Sequence, residues 1–305
     1  MRKAFIGASL CLIALSCTVE PVDREQRVAS VKGDYFYATF ESSGERDTKV
    51  YLDENIKVLW NEKDEISIFN LKDANDEYVF DGETGDNAGG FYLAKDFSEE
   101  GVSIDHIYAV YPYSASTSVS IDGILSLTLP SEQPYAENSF GLGMNTMVSA
   151  SDDQNLLFRN LCGYLELKFY GEGVSVSSVK LEGHGGQKLS GGANVRMEVG
   201  GTPSVAMADD AGTSITVVCD TPVELGTSKE DAVVFWMVVP PTGFTDGFKL
   251  TVTDSEGGVF VKETSKNFTI ARNKVLRISA IEVEISGSSS GTIDDGSGNE
   301  EGDEY

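Results

Sequence analysis

Residues that could carry out acid–base or nucleophilic chemistry are few in this chain. Among its 305 residues are two histidines, His106 and His184. No His-Glu-x-x-His pair occurs, so a zincin-type metal site is not predicted. His184 lies in a glycine-rich turn with no predicted helix after it, which argues against a phosphate loop. We therefore expect a non-enzymatic protein without catalytic residues, metal or cofactor. The alternative, an enzyme, would need a nucleophile–base pair that the sequence does not reveal.

Cys17 is the residue for which the sequence predicts a covalent modification. Arg2 and Lys3 precede an apolar run, Ala4–Leu15, that is too short to span a bilayer as a mature helix. The run ends at Ser16-Cys17, which resembles a bacterial lipobox. We predict a signal peptide at residues 1–16, lipidation of Cys17 and a polar, lipid-anchored tether at residues 17–32. The alternative is an ordinary secretory signal cleaved nearby.

The net charge of −26 limits the partners that this protein can have. A surface this negative repels nucleic acid and anionic lipid headgroups, so neither is an expected partner. Membrane association is expected through the lipid anchor alone. High solubility is the simplest role of the charge.

Cys162 and Cys219 are the two cysteines that follow the predicted anchor. Both lie in predicted strands, and an exported protein occupies a compartment that permits disulfides. Sequence gives no Cα separation, so a disulfide bridge and two buried thiols are equally compatible with the pattern.

The elements that must position these residues are strands. Val233–Val239 is a run of seven large apolar residues followed by two prolines, which predicts one strand buried on both faces. Turn signals recur every 8–12 residues, a spacing typical of β-sandwiches. We predict an all-β protein with sandwich domains at residues 33–153 and 154–285. Residues 286–305 are mostly Gly, Ser, Asp and Glu, which predicts a disordered acidic C-terminal tail.

The first predicted strand, Gly33–Glu41, precedes an exposed turn. Phe36, Ala38 and Phe40 alternate with Tyr35, Tyr37 and Thr39, so the two sets should face opposite sides. The following turn contains Arg46 and Asp47, and a protease that cut between them would free the strand. A strand from another chain could then fill the open edge. By spacing alone, the simpler interpretation is a hairpin that stays intact.

Four runs carry a family resemblance when taken in order behind the lipobox. The chain resembles the fimbrillin-like surface lipoproteins of the Bacteroides group over residues 33–283. The runs are Val58–Phe69, Ile107–Tyr113, Gly163–Lys168 and Phe235–Pro241.

The resemblance implies two tandem transthyretin-like β-sandwich domains on an outer-membrane lipoprotein that is exposed at the cell surface. It also implies cleavage by an arginine-specific protease at Arg46, after which residues 35–40 would form a displaceable first strand. Shaft subunits of the family carry extra C-terminal donor strands, whereas residues 286–305 lack alternating apolar residues. The resemblance thus implies an anchor, a terminal subunit or a stand-alone surface protein.

Adhesion or fimbrial assembly is the function that these patterns favour. The expected partners are other fimbrial subunits or surface ligands of host or bacterial cells. The alternative is a stand-alone carbohydrate-binding or adhesin module with a row of exposed aromatics, such as Tyr108, Tyr111 and Tyr113. Those three tyrosines are equally compatible with core and rim positions of a sandwich.

Overall fold

The computed structural model describes residues 35–41, 58–95 and 101–285 in full, and the backbone of residues 290–292. The predicted signal peptide, the tether, Cys17, Arg46 and Asp47 lie outside these residues. Within them, the helical structure is a single 3-10 turn at Lys229–Asp231, which confirms the all-β prediction. This part of the chain has no helix with the length and hydropathy needed to cross a membrane.

Strands begin at Tyr35 and follow one another along the whole described chain. In the first half they are β1 (Tyr35–Phe40), β2 (Glu65–Leu71), β3 (Asp76–Phe80), β4 (Ala88–Leu93), β5 (Ser103–Tyr111), β6 (Ser118–Val119), β7 (Ile124–Leu129), β8 (Glu132–Ala136), β9 (Ser139–Phe140), β10 (Met147–Ser151) and β11 (Asn155–Asn160).

The second half continues in the same way. Its strands are β12 (Gly163–Tyr170), β13 (Ser175–Gly183), β14 (Gly191–Arg196), β15 (Ser204–Met207), β16 (Ser214–Glu224), β17 (Val233–Val239), β18 (Thr242–Phe244), β19 (Phe248–Asp254), β20 (Val259–Thr264), β21 (Phe268–Ile270), β22 (Val275–Arg277), β23 (Ile281–Glu282) and β24 (Ser290–Thr292).

Seven of these strands form a closed barrel in the order β1, β11, β10, β5, β2, β3 and β4. β1 closes the ring because it pairs antiparallel with β4 and parallel with β11. The sequence predicted a two-sheet sandwich here. The structure has a closed barrel because β1 pairs at both of its edges. The barrel core consists of the inward-facing side chains Phe36, Ala38, Trp60, Ile66, Ile68, Tyr78, Phe80, Phe91, Ile107, Ala109, Tyr111, Met147, Leu156 and Phe158.

Strand β17 has the bounds that the sequence predicted and is covered on both faces. Phe235 and Met237 enter one hydrophobic core, while Trp236 and Val238 enter another. The first is a sandwich core between the sheet β17-β12-β22 and the seven-stranded sheet β24-β20-β19-β13-β16-β8-β9. The second is a central core that β17 shares with the outer side of the barrel and the sheet β15-β14-β7-β6. The predicted apolar cover on both sides of this strand is therefore confirmed.

The predicted division of the chain at 153/154 does not separate the sheets. Strand β11 lies after that position but belongs to the barrel. Strand β7 pairs with β14, and β8 pairs with β16, so strands from both halves share sheets. Turn signals mark where strands end, and they do not specify which distant strands pair.

The predicted disordered tail contains a short paired segment. Residues 290–292 form β24, which lies parallel to Val261–Glu263 of β20. The prediction of no regular structure from 286 to 305 is wrong for these three residues, because an edge strand needs only backbone hydrogen bonds and no apolar side chains.

Candidate functional site around the first strand

Strand β1 alternates between a buried and an exposed face, as its sequence predicts. Phe36 and Ala38 are fully buried in the barrel core, whereas Tyr35 and Tyr37 are 48% and 45% exposed on the outer surface. Phe40 is partly buried, and its ring centroid lies 4.5 Å from that of Trp60. The period of two residues along a strand produces this division.

The position of Ala38 is confined by the neighbouring strands. Ala38 pairs with Gly89 of β4 and with Leu156 of β11. A Cβ atom added at Gly89 would lie 2.6 Å from the ring of Phe80, so β4 is filled on its inner side by an aromatic ring. The inner face of β1 thus presents a small residue between two aromatic ones.

The carboxyl end of β1 is held by a buried ion-pair cluster at Glu41. The Glu41 side chain is 7% exposed, and the guanidinium of Arg272 donates to both of its carboxylate oxygens, the Nη2–Oε2 distance being 3.1 Å. Arg159 Nη1 lies 3.5 Å from Oε2 of Glu41. The backbone N–H of Asn160 donates to Oε1 of Glu41 over 2.8 Å. A carboxylate with this many charge-assisted donors is firmly held.

Buried polar side chains continue from this cluster into the second half of the chain. Asn160 Nδ2 donates to Asn273 Oδ1 over 2.6 Å, and Asn145 Nδ2 donates to Asn160 Oδ1 over 2.7 Å. The Tyr164 hydroxyl donates to Asn145 Oδ1 over 3.1 Å. Burial raises the pKa of Tyr164 above its usual value, so its hydroxyl stays a donor at neutral pH. The network links the end of β1 to β12.

The two histidines are placed apart from this cluster. His106 Nδ1 lies 2.7 Å from Asp152 Oδ1 in an exposed pair. His184 Nδ1 lies 2.9 Å from the backbone oxygen of Asp246. Across the described residues, no group of three or more His, Cys, Asp or Glu side chains is arranged to hold a metal ion.

The three tyrosines that a carbohydrate-binding module would need on an open face are not exposed as a row. Tyr108 and Tyr111 are buried, in the central core and the barrel core respectively, and Tyr113 is partly buried. Burial and the nearby Asp64 raise the pKa of Tyr111. Of the two positions left open by the sequence, the structure has core and rim positions, because β5 packs against a hydrophobic core on each side.

A different set of tyrosines lies on the outer surface of the barrel. Tyr35 is paired in register with Tyr92, and both are exposed. Tyr37 and Leu157 are exposed on the neighbouring strands β1 and β11. The alternation in β1 marked Tyr35 and Tyr37, but the sequence could not show that β4 would place Tyr92 beside them.

Cys162 and Cys219 are two free, buried thiols. Cys162 lies in the central core and Cys219 in the sandwich core. Of the two alternatives left open by the sequence, the structure has the buried thiols and not the bridge. Burial raises the pKa of Cys162 to about 12, and burial together with Asp220 raises that of Cys219 to about 11.

We expect both thiols to be unreactive in the folded protein. A raised pKa lowers the thiolate fraction, so at pH 8 both groups stay protonated as well as shielded. A chain of residues 18–305 should react with Ellman's reagent below about 10% in buffer and fully in denaturant. Fast reaction of the folded chain would contradict the burial of these groups. Loss of free thiol after denaturation without reductant would indicate a disulfide.

Comparison with known proteins gives structural neighbours only. No protein-family model and no curated protein sequence matches the chain. A candidate cell adhesion protein of Bacteroides ovatus matches 77% of this chain and 87% of its own, with 12% identity and a TM-score of 0.43. One of Bacteroides uniformis matches 72% and 88%, with 18% identity and a TM-score of 0.41. A fimbrial protein of Bacteroides ovatus matches 82% and 50%, with 14% identity and a TM-score of 0.33.

The three solved structures named above are two candidate cell adhesion proteins and one fimbrial protein, all of Bacteroides species. The runs of residues that carry the family resemblance lie largely on strands β2, β5, β12 and β17, which form the walls of the barrel and of the sandwich.

Proposed function

We propose that this protein is a non-enzymatic, lipid-anchored protein of the outer membrane that acts as a fimbrial subunit or accessory protein in adhesion or pilus assembly. The anchor is Cys17, and β1 is the strand that a partner subunit replaces after cleavage at Arg46. The two modules of the protein are transthyretin-like sandwich variants that share strands across the middle of the chain.

The observation that carries this proposal is the position of β1 in the barrel. It is the first strand of the described chain, and it lies between β4 and β11 with Phe36 and Ala38 fully buried. Its pairing with β11 is parallel, a geometry slightly weaker per residue than antiparallel pairing. Removal of β1 would leave two strand edges above an apolar groove, which is a template for β-augmentation.

The segment that follows β1 contains the proposed processing site. A cut between Arg46 and Asp47 leaves β1 attached to the rest of the protein through noncovalent contacts alone. Those contacts can then be exchanged for equivalent contacts from another chain. Donor and acceptor strands bury the same apolar surface, so the exchange keeps most of the free energy of folding.

Mass spectrometry of surface material and of purified protein tests the processing step. We expect a new amino terminus at Asp47 after exposure to an arginine-specific protease. The matched control is Arg46→Lys, which keeps the positive charge and removes the recognition residue, so this chain should stay uncut at that position. Recovery of an intact chain from Cys17 to Tyr305 in surface fibres would contradict the proposal.

A stand-alone surface module is the second candidate, favoured by the exposed tyrosines Tyr35, Tyr37 and Tyr92. Aromatic rings on an open surface supply large contact areas at low entropic cost. Glycan binding by the uncut chain that is lost in Tyr37→Ala and Tyr92→Ala would support this candidate over strand exchange.

A further inference from the structure

We propose that the strand which replaces β1 must carry a carboxylate immediately after its last buried aromatic residue, because the position of Glu41 is built for a carboxylate. This inference rests on the proposed strand exchange and goes further, since it specifies the chemistry of the partner segment. The required pattern has six positions: an aromatic residue, any residue, a small residue, any residue, an aromatic residue and an acidic residue.

The receptor for this carboxylate belongs to the part of the protein that stays behind. Arg159 lies on β11, and Arg272 precedes β22. Arg272 Nη1 also donates to the backbone oxygen of Asn160 over 2.8 Å, and Arg159 Nη2 donates to that of Gly200 over 3.3 Å. These backbone acceptors hold both guanidinium groups in place independently of Glu41.

Departure of Glu41 leaves the cluster electrically unbalanced. Both arginine side chains are only about one fifth exposed, and the N–H of Asn160 loses its acceptor as well. A partly buried cation without a partner is costly, because the surrounding protein replaces the water that would otherwise solvate it. A replacement strand with a neutral residue at this position restores the apolar contacts and leaves the charge uncompensated.

The backbone of β1 sets the register in which the carboxylate must arrive. The N–H of Glu41 donates to the oxygen of Phe158 over 2.8 Å, and that of Tyr37 donates to the oxygen of Gln154 over 2.9 Å. A slip of one residue would turn the aromatic side chains outward and move the carboxylate away from Arg272. The charge and the apolar pattern therefore select the same register.

The occupant is an extended segment of another molecule and not the C-terminal segment of this chain. Residues 286–305 of this chain contain acidic residues, but Ile293 is their single aliphatic residue and Tyr305 their single aromatic one. They do not offer two aromatic residues that flank a small one at alternate positions. The donor segment must therefore contain both the acidic residue and the alternating apolar residues.

A peptide exchange experiment tests this inference. Residues 43–47 of a chain spanning 18–305 are replaced by the recognition sequence of a site-specific protease, so that cutting does not depend on Arg46. The cut chain is incubated with a labelled peptide of residues 33–41, or with the same peptide carrying Glu41→Gln. Incorporation of label and release of the amino-terminal fragment that contains β1 are measured. We expect the Glu41→Gln peptide to bind about 30-fold more weakly.

Two controls assign the difference to the ion-pair cluster. A peptide with Asp34→Asn has the same net charge as the Glu41→Gln peptide and should bind like the unmodified one. In a protein with Arg272→Gln, the preference for the acidic peptide should fall from about 30-fold to about threefold. The peptide comparison on the unaltered protein remains valid if this variant does not fold.

The outcomes separate the inference from the function on which it rests. Equal binding of the unmodified peptide and the Glu41→Gln peptide, or an equal loss with Asp34→Asn, would overturn the carboxylate requirement and leave strand exchange standing. Failure of every peptide to enter the cut chain would overturn strand exchange itself, and the inference with it.

Discussion

Replacement of Trp60 by alanine should lower the free energy of unfolding by about 3–5 kcal/mol. Trp60 is fully buried at the centre of the barrel core, and it precedes β2. Its ring lies 4.5 to 5.8 Å, centroid to centroid, from five aromatic rings, those of Phe40, Phe80, Phe91, Tyr111 and Phe158. Several rigid rings cannot collapse into the space left by an indole, so the cavity persists. Urea denaturation followed by circular dichroism measures the change.

Leu59→Ala is the matched control for this substitution. Leu59 is the neighbouring residue but is exposed, and its truncation should change stability by less than about 0.5 kcal/mol. Trp60→Phe should cost less than Trp60→Ala, since the indole Nε1 finds no acceptor among the described residues and its removal loses no hydrogen bond. Equal stability of Trp60→Ala and the unaltered chain would show that the barrel core is not packed as described.

Replacement of Arg272 by methionine should destabilise the protein by about 2–4 kcal/mol and should loosen β1 before other strands. The substitution removes the donors to both carboxylate oxygens of Glu41 and the hydrogen bond to the oxygen of Asn160. Arg159 remains near Glu41, so the carboxylate keeps one partner. Amide hydrogen exchange should show lost protection in β1 that exceeds the loss in β13 and β19.

Arg196→Met makes the same chemical change at an exposed position on β14 and serves as the control. It should leave both the stability and the exchange pattern nearly unchanged, because an exposed arginine contributes little. A uniform loss of protection across all strands in Arg272→Met would argue that the cluster supports the whole fold, and that it does not specifically hold the first strand.

The sequence predicts the bounds of those strands whose side chains follow a strong apolar or alternating pattern. The apolar run Val233–Val239 and the alternating segment Gly163–Tyr170 predict strands with the bounds that β17 and β12 have. The turn-forming dipeptide Asp122-Gly123 lies in the turn between β6 and β7, with Gly123 at a φ of 72°. These features are local, since they depend on neighbouring residues and on a backbone conformation that glycine adopts without strain.

Patterning failed where short strands contain small or polar residues. The composition of residues 131–155 predicts a loop-rich segment, but these residues contain β8, β9 and β10. Gln133 of β8 is buried, and its side-chain amide accepts from the backbone N–H of Val238 and donates to the backbone oxygen of Val238. The amide of Gln133 makes hydrogen bonds that a neighbouring strand would otherwise make. The spacing of apolar residues does not reveal such a glutamine.

Whether a polar residue on the outer face of a strand is buried is not decided by alternation alone. The alternation along β12 predicts that Glu166 faces solvent, opposite to Leu165 and Leu167. It is on the opposite face but is buried, with Lys168 Nζ at 2.9 Å and Arg277 Nε at 3.0 Å from its carboxylate oxygens. Alternation separates the two faces of a strand, whereas the presence of a second layer depends on strands distant in the sequence.

The sequence by itself determined that the described part of this chain is all-β and that β1 has an inner and an outer face. The tertiary structure alone decided that β1 closes a barrel, that strands from both halves share sheets, and that Glu41 meets two arginines from later in the chain. The physical reason is the distance along the chain over which each kind of interaction acts. Backbone propensity and side-chain alternation act over a few residues, whereas pairing partners and ion pairs such as Glu41–Arg272 depend on which distant surfaces fit together.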